Sequence, residues 1–119
     1  MRVLGIDVGT STTVAAVRAA GGPARPLLFD ATPLLPSAVF LQPGGALLVG
    51  GDAQRAARLD PARYEPHPKR RIDDGTVLLG PADVPVPHLI GAVLRAVADE
   101  ARRQLGGVDE VRLTHPAGW

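Results

Sequence analysis

The sequence predicts a single α/β domain, and three observations support this class. Strand-like runs fill the first thirty residues, a long amphipathic helix pattern spans residues 88–105, and another strand-like run follows that helix. The chain has 119 residues, which is enough for one domain with one modest hydrophobic core.

The first thirty residues predict a three-stranded meander. Residues 2–8 alternate weakly between apolar and polar side chains, and residues 12–17 form an apolar run rich in β-branched residues. Gly21-Gly22-Pro23 is a turn signal, and residues 26–29 then predict a third strand.

The middle of the chain predicts a small hairpin and a short helix. A proline-marked loop covers residues 31–36, and strands over 37–41 and 46–49 flank Pro43-Gly44-Gly45. Gly51 or Asp52 is the expected cap of a helix over residues 53–59, which Asp60-Pro61 ends.

The clearest element is the helix predicted over residues 88–105. Pro87 suits its first turn, Arg102 and Arg103 suit its negative C-terminal end, and Gly106-Gly107 closes it. Its apolar face consists of Leu89, Ile90, Val93, Leu94, Val97, Ala98, Ala101 and Leu105. Residues 111–114 predict a final strand.

Composition excludes several classes of function. Thirteen basic residues stand against 12 acidic ones, so the net charge of +1 gives no support to binding of nucleic acid or of a membrane surface. The absence of cysteine excludes disulfides and thiolate metal sites. The apolar runs fall short of the roughly 18 residues that a membrane span needs, and no signal-peptide pattern is present, so we expect a cytoplasmic domain.

A first candidate site is the turn that follows the first strand. Gly9 allows close approach of the backbone to a ligand, and successive turn amides with the Thr10 and Ser11 hydroxyls suit phosphate oxygens. A carboxylate at Asp7 would repel phosphate unless a cation, most plausibly hydrated Mg²⁺, lies between them. The alternative is an ordinary hairpin in which Asp7 caps a turn. The GxxxxGK[ST] and GxGxxG patterns are both absent.

A second candidate is Lys69, which stands beside Arg70 and Arg71. A lysine aimed into a phosphate site would neutralise developing charge or orient an attacking water, whereas the alternative is a solvated basic loop. The histidines at positions 67, 88 and 115 have no metal-ligand spacing, and we interpret them as surface or capping residues. Ser37 has no histidine and acid at a spacing typical of a serine hydrolase.

Taken together, these segments resemble the N-terminal part of the DnaK family of seventy-kilodalton heat-shock chaperones, in the right order along nearly the whole chain. The segments that carry the resemblance are Gly5-Ile6-Asp7-Val8-Gly9-Thr10-Ser11, Leu35-Pro36-Ser37-Ala38-Val39, Leu48-Val49-Gly50-Gly51-Asp52-Ala53, residues 60–70 ending in Lys69-Arg70, and Val111-Arg112-Leu113-Thr114-His115-Pro116-Ala117.

The resemblance implies a fold and a set of roles. The fold would be the ribonuclease-H-like first lobe of an actin-like ATPase, with a core subdomain over 1–30 and 88–119 and an inserted outer subdomain over 31–87. ATP or ADP with Mg²⁺ would be the cofactor. The implied residues are Asp7 for Mg²⁺ through water, Gly9, Thr10 and Ser11 for phosphate, Lys69 for catalysis, and Arg70 and Pro116 for interdomain signalling.

The resemblance also implies partners for the full-length protein, and other classes of protein remain as alternatives. Unfolded client peptides, a co-chaperone and an exchange factor would act on the full-length protein, and the 119 residues would be an incomplete lobe without ATPase activity of its own. The segment between residues 69 and 77 is shorter than in the family, which indicates a trimmed outer subdomain. A sugar or glycerol kinase, an actin-like filament protein and a degenerate pseudo-ATPase are the alternatives.

Overall fold

The strand at the start of the chain lies inside the main sheet. The computed structural model describes residues 1–114, and the main sheet runs in the order β10-β1-β2-β3, with β4 also paired to β2. Its strands are β1 (Arg2–Val8), β2 (Thr12–Ala19), β3 (Arg25–Pro26), β4 (Leu35–Pro36) and β10 (Glu110–Thr114). β2 is antiparallel to β1, whereas β10 is parallel to it.

The long helix α2 (Val86–Leu105) supplies the main layer against this sheet. Its buried residues Leu89, Val93 and Val97 recur at the spacing of one helix face, and they pack with Leu4 and Ile6 of β1 in one hydrophobic cluster. Gly106 ends α2 in the left-handed conformation, with its N–H donating to the carbonyl oxygen of Arg102.

The chain between β4 and α2 forms smaller elements. Their bounds are β5 (Val39–Leu41), β6 (Leu47–Val49), α1 (Gly51–Ala57), β7 (Tyr64–Glu65), β8 (Thr76–Leu79), β9 (Ala82–Pro85) and 3-10 helices over Pro61–Arg63 and Pro68–Asp74. β5 lies between β6 and β7 in one antiparallel sheet, and β8 and β9 form a separate hairpin. The described residues therefore form a small mixed α/β domain with several sheets.

Most predicted elements are confirmed, but the boundaries of the third strand and of α1 differ from the predicted ones. The third strand is Arg25–Pro26 in place of residues 26–29, because the chain then makes a tight turn at Asp30 and Ala31, which both have positive φ. α1 begins at Gly51 with Gly50 as its N-cap, one residue ahead of the expected cap. The β8–β9 hairpin was not anticipated from the sequence.

The C-terminal end of the described region is β10, which the sequence predicted over residues 111–114. Pro116, the expected signalling residue, lies outside the described residues, as do His115 and Trp119. Within residues 1–114, no helix is long and apolar enough to cross a membrane.

Candidate functional site

The turn between β1 and β2 has a backbone geometry that requires glycine. The Gly9 N–H donates to the carbonyl oxygen of Thr12 at 2.9 Å and closes the turn. A Cβ at Gly9 would lie only 2.3 Å from that same oxygen, which is closer than any real Cβ contact. Residues 9–11, for which the sequence predicts phosphate binding, are called the phosphate loop below. The close approach of Gly9 to the Thr12 oxygen sets their path.

The carbonyl oxygens along this turn accept hydrogen bonds from the region that follows β3. The Lys69 Nζ lies 2.5 Å from the Val8 oxygen, and the Ser37 hydroxyl donates to the Gly9 oxygen at 2.9 Å. The His67 Nδ1 lies 3.2 Å from the Thr10 oxygen, and the Ser37 N–H donates to the Ser11 oxygen at 3.0 Å. Residues of one region thus hold four successive carbonyl groups of the turn.

Holding the carbonyl groups also orients the amides of the phosphate loop. A trans peptide places its N–H opposite its C=O, and the described residues contain no cis peptide bond. The N–H groups of Thr10 and Ser11 share peptide planes with the Gly9 and Thr10 oxygens, so they point away from Ser37 and His67. Two successive N–H groups on one side of a turn suit an anion.

A buried pair of hydroxyl groups is hydrogen-bonded to the phosphate loop. Thr13 and Ser37 are 0% and 1% exposed, and their hydroxyl oxygens lie 2.9 Å apart. Because the Ser37 hydroxyl donates its hydrogen to the Gly9 oxygen, it accepts a hydrogen bond from the Thr13 hydroxyl. This chain of hydrogen bonds joins β2, the segment after β4 and the phosphate loop.

His67 is itself held by a buried carboxylate. Glu65 is 5% exposed, and its Oε2 accepts the His67 backbone N–H at 2.8 Å while its Oε1 accepts the Arg71 Nε at 2.8 Å. The hydrogen bond to Glu65 is the largest cause that raises the pKa of Arg71, followed by the one to Asp74. Arg71 is therefore an ion-pair partner that fixes Glu65.

Asp7 places one carboxylate at the end of β1, next to the phosphate loop. It is exposed, and it pairs in the sheet with Val14 of β2 and Thr114 of β10. Among residues 1–114 no group of three or more histidine or acidic side chains is arranged to hold a metal ion. A single carboxylate fits hydrated Mg²⁺, which keeps several waters and takes its remaining ligands from phosphate.

The structure brings most of the predicted site residues together around one turn, and the Arg70 side chain takes no part in their hydrogen bonds. Asp7, Gly9, Thr10, Ser11 and Lys69 lie around one turn, although 61 residues separate Lys69 from Val8 in sequence. Lys69 is half-buried in the 3-10 helix Pro68–Asp74, unlike a solvated loop residue. The Arg70 side chain is exposed and forms no hydrogen bond or ion pair with the described part of the chain, while its N–H donates to the His67 oxygen.

Sequence reasoning missed two residues of this site. The sequence indicates no supporting role for Ser37 by residue type alone, although its place after Pro36 in a motif of the resemblance is a usable signal. His67 was interpreted as a surface or capping residue, and no local pattern distinguishes it. A further signal was also present for Lys69, which is the only lysine in a chain with 12 arginines.

Comparison with known proteins adds no family assignment. No protein-family model matches the chain, and no curated protein matches its sequence. The geometry of the phosphate loop and the sequence motifs are the features of this chain that bear on its function.

Proposed function

We propose that this chain is the ATP-binding and ATP-hydrolysing lobe of a DnaK-like molecular chaperone. The observation that carries the proposal is the meeting of Asp7, the phosphate loop and Lys69 at one turn, with the Lys69 Nζ 2.5 Å from the Val8 oxygen. A carboxylate, oriented amides and an ammonium group are the parts that binding of a phosphate with Mg²⁺ requires.

The proposed roles follow from what each group is able to donate or accept. The N–H groups and hydroxyls of Thr10 and Ser11 would bind phosphate oxygens of ATP or ADP, and the Asp7 carboxylate would accept hydrogen bonds from the water ligands of Mg²⁺. The bound Mg²⁺ would neutralise phosphate charge. Lys69 would place its positive charge beside the γ-phosphate, where negative charge develops during transfer.

The order of the main sheet supports the finer fold assignment. A ribonuclease-H-like core has an antiparallel meander, a helix, and then a strand parallel to the first. Here β1, β2 and β3 form the meander, and β10 pairs in parallel with β1 after α2. We therefore propose an actin-like ATPase lobe, with the core over 1–30 and 88–119 and the outer subdomain over 31–87.

The same proposal sets the partners and the cellular location. In the full-length protein the lobe would respond to unfolded client peptides, a co-chaperone and an exchange factor, in the cytoplasm. Arg70 is exposed, which suits a role in signalling to another domain, and Pro116 would share that role. These expectations come from the resemblance of the Lys69-Arg70 and Thr114-His115-Pro116-Ala117 segments to the chaperone family.

The decisive experiment measures ATP hydrolysis by the full-length protein that contains this chain. Wild type, Lys69→Ala and Arg58→Ala are compared, with and without Mg²⁺, an unfolded apolar peptide, and a panel of sugars and glycerol. We expect slow, Mg²⁺-dependent and sugar-independent turnover, which Lys69→Ala reduces at least tenfold if one charge-stabilising group is lost. Arg58 is an exposed basic residue at the end of α1, so Arg58→Ala controls for loss of charge alone.

Other outcomes of this experiment would indicate a different class of protein. Turnover that requires one sugar or glycerol contradicts the chaperone proposal and indicates a small-molecule kinase. ATP-dependent sedimentation of large assemblies indicates an actin-like filament protein. Nucleotide binding without hydrolysis under any condition contradicts the ATPase proposal and leaves a pseudo-ATPase.

A further inference from the structure

We propose that His67 is a positioning residue for the phosphate loop, and this inference depends on the proposed function. Its imidazole holds the peptide between Thr10 and Ser11, so that the Ser11 N–H faces the bound phosphate. The observation behind it is the 3.2 Å distance between the His67 Nδ1 and the Thr10 oxygen, in a partly buried setting and across 57 residues of sequence.

The chemistry of this contact determines which ring nitrogen carries the proton. A backbone carbonyl oxygen only accepts hydrogen bonds, so the His67 Nδ1 must be the donor and must carry a hydrogen. The peptide between Thr10 and Ser11 is trans and planar, and its N–H therefore points away from the imidazole. Fixing the Thr10 oxygen thus fixes the direction of the Ser11 N–H.

His67 is oriented before any ligand arrives. Its backbone N–H donates to the buried Glu65 carboxylate at 2.8 Å, and its carbonyl oxygen accepts the Arg70 N–H at 3.0 Å. Pro68, which is buried, follows directly and disfavours a helical conformation at His67, whose φ is −136° and ψ is 68°. A donor held in this way loses little conformational entropy when the loop binds an anion.

The phosphate loop needs such support because its own residues restrain it weakly. Gly9 has no side chain and allows a wide range of backbone conformations, and Ser11 is exposed. Ser37 holds the Gly9 and Ser11 oxygens, while His67 supplies the contact to the Thr10 oxygen between them. Without the imidazole, the peptide between Thr10 and Ser11 loses the side-chain hydrogen bond to its oxygen.

The test compares wild type, His67→Ala, His67→Asn and His88→Ala. The asparagine Nδ2 lies near the position of the imidazole Nδ1 and restores the donor. His88 is an exposed histidine on α2 and provides the matched control. NMR order parameters of the Thr10 and Ser11 amides are measured without ligand in the 119-residue chain. The full-length protein that contains the chain is then titrated with ADP and Mg²⁺ by calorimetry.

We expect His67→Ala to lower the order parameter of the Ser11 amide from about 0.85 to below about 0.6, and to raise the ADP Kd about fivefold to tenfold. The Thr10 amide, whose peptide Ser37 holds, should keep its order parameter. His67→Asn should keep the order parameters near the wild-type values and the Kd within about threefold, and His88→Ala should change neither. A fold that is merely weakened would lower the urea midpoint without this rescue by asparagine.

The two proposals fail in different ways. If wild type binds ADP and His67→Ala binds it equally well, or if the order parameters stay unchanged, the positioning role is overturned. If the full-length wild type binds no nucleotide, the proposed function is contradicted, and the order parameters alone then decide whether His67 holds the loop.

Discussion

Gly9 is the residue of the phosphate loop that tolerates substitution least. A Cβ at this position would lie 2.3 Å from the Thr12 oxygen, and the neighbour is backbone that has no rotamer to change. The Gly9 N–H also donates to that oxygen, so moving Thr12 away would break the hydrogen bond that closes the turn. Gly5, in the same strand region, has no such conflict, since its Cβ would lie 3.9 Å from the Ala16 oxygen.

At this scale we predict that Gly9→Ala lowers the free energy of unfolding by about 1–3 kcal/mol, the usual cost of forcing atoms into occupied space. Gly5→Ala is the matched control and should change it by less than about 0.5 kcal/mol. Urea denaturation of both variants gives the measurement. Equal effects of the two substitutions would show that the turn relaxes around the new methyl group.

The turn after β3 is the element whose local conformation departs most from the preferences of its residues. Asp30 and Ala31 have φ values of 52° and 65°, and Phe29 and Thr32 exchange backbone hydrogen bonds at 2.7 and 3.1 Å. Positive φ at both central residues is the requirement of a type I′ turn, which favours Asn-Gly or Asp-Gly. Alanine in the left-handed region costs about 1–2 kcal/mol.

The second prediction is that Ala31→Gly stabilises the protein by up to about 1 kcal/mol. Relief of the left-handed strain exceeds the roughly 0.5–1 kcal/mol that glycine costs through its greater freedom in the unfolded chain. Ala20→Gly, at an exposed turn residue without positive φ, should instead lose about 0.5–1 kcal/mol. Thermal and urea unfolding are the measurements, and a loss of stability in Ala31→Gly would contradict the turn geometry.

At the scale of the molecule, the main hydrophobic cluster joins the main sheet to α2 and to the chain between β4 and α2. Leu4 of β1, Val39 of β5, Val77 of β8 and Leu89 of α2 all belong to it. A smaller cluster around Phe40 packs beside it within that region. Because one cluster includes residues of the main sheet, of α2 and of the hairpins between them, loss of its packing should affect all of these together.

The third prediction is therefore that Leu89→Ala destabilises the whole domain by about 2–5 kcal/mol, since Leu89 is 0% exposed. Far-UV circular dichroism and the NMR signals of Leu4 and Phe40 should report one shared urea transition. Leu59→Ala, at a side chain that is 92% exposed, should have an effect below about 0.5 kcal/mol. Separate transitions for Leu4 and Phe40 would contradict a single cooperative unit.

Local patterns were sufficient to predict most elements of the fold. The period of apolar residues identified β1, β2 and α2, and the glycine and proline signals identified the β5–β6 hairpin and the ends of α2. The chemistry of residues 7–11 also identified the turn as a candidate phosphate site. These features are readable because each depends on residues that are neighbours in sequence.

Only the tertiary structure decided which distant residues meet at that turn. Ser37, His67 and Lys69 contact carbonyl groups that are 28, 57 and 61 residues away in sequence. No local period encodes such a meeting, because it depends on how the whole region after β3 packs against β1 and β2. The amino-acid sequence by itself therefore determined the turn and its strands, whereas packing of the complete domain determined the direction of its amides.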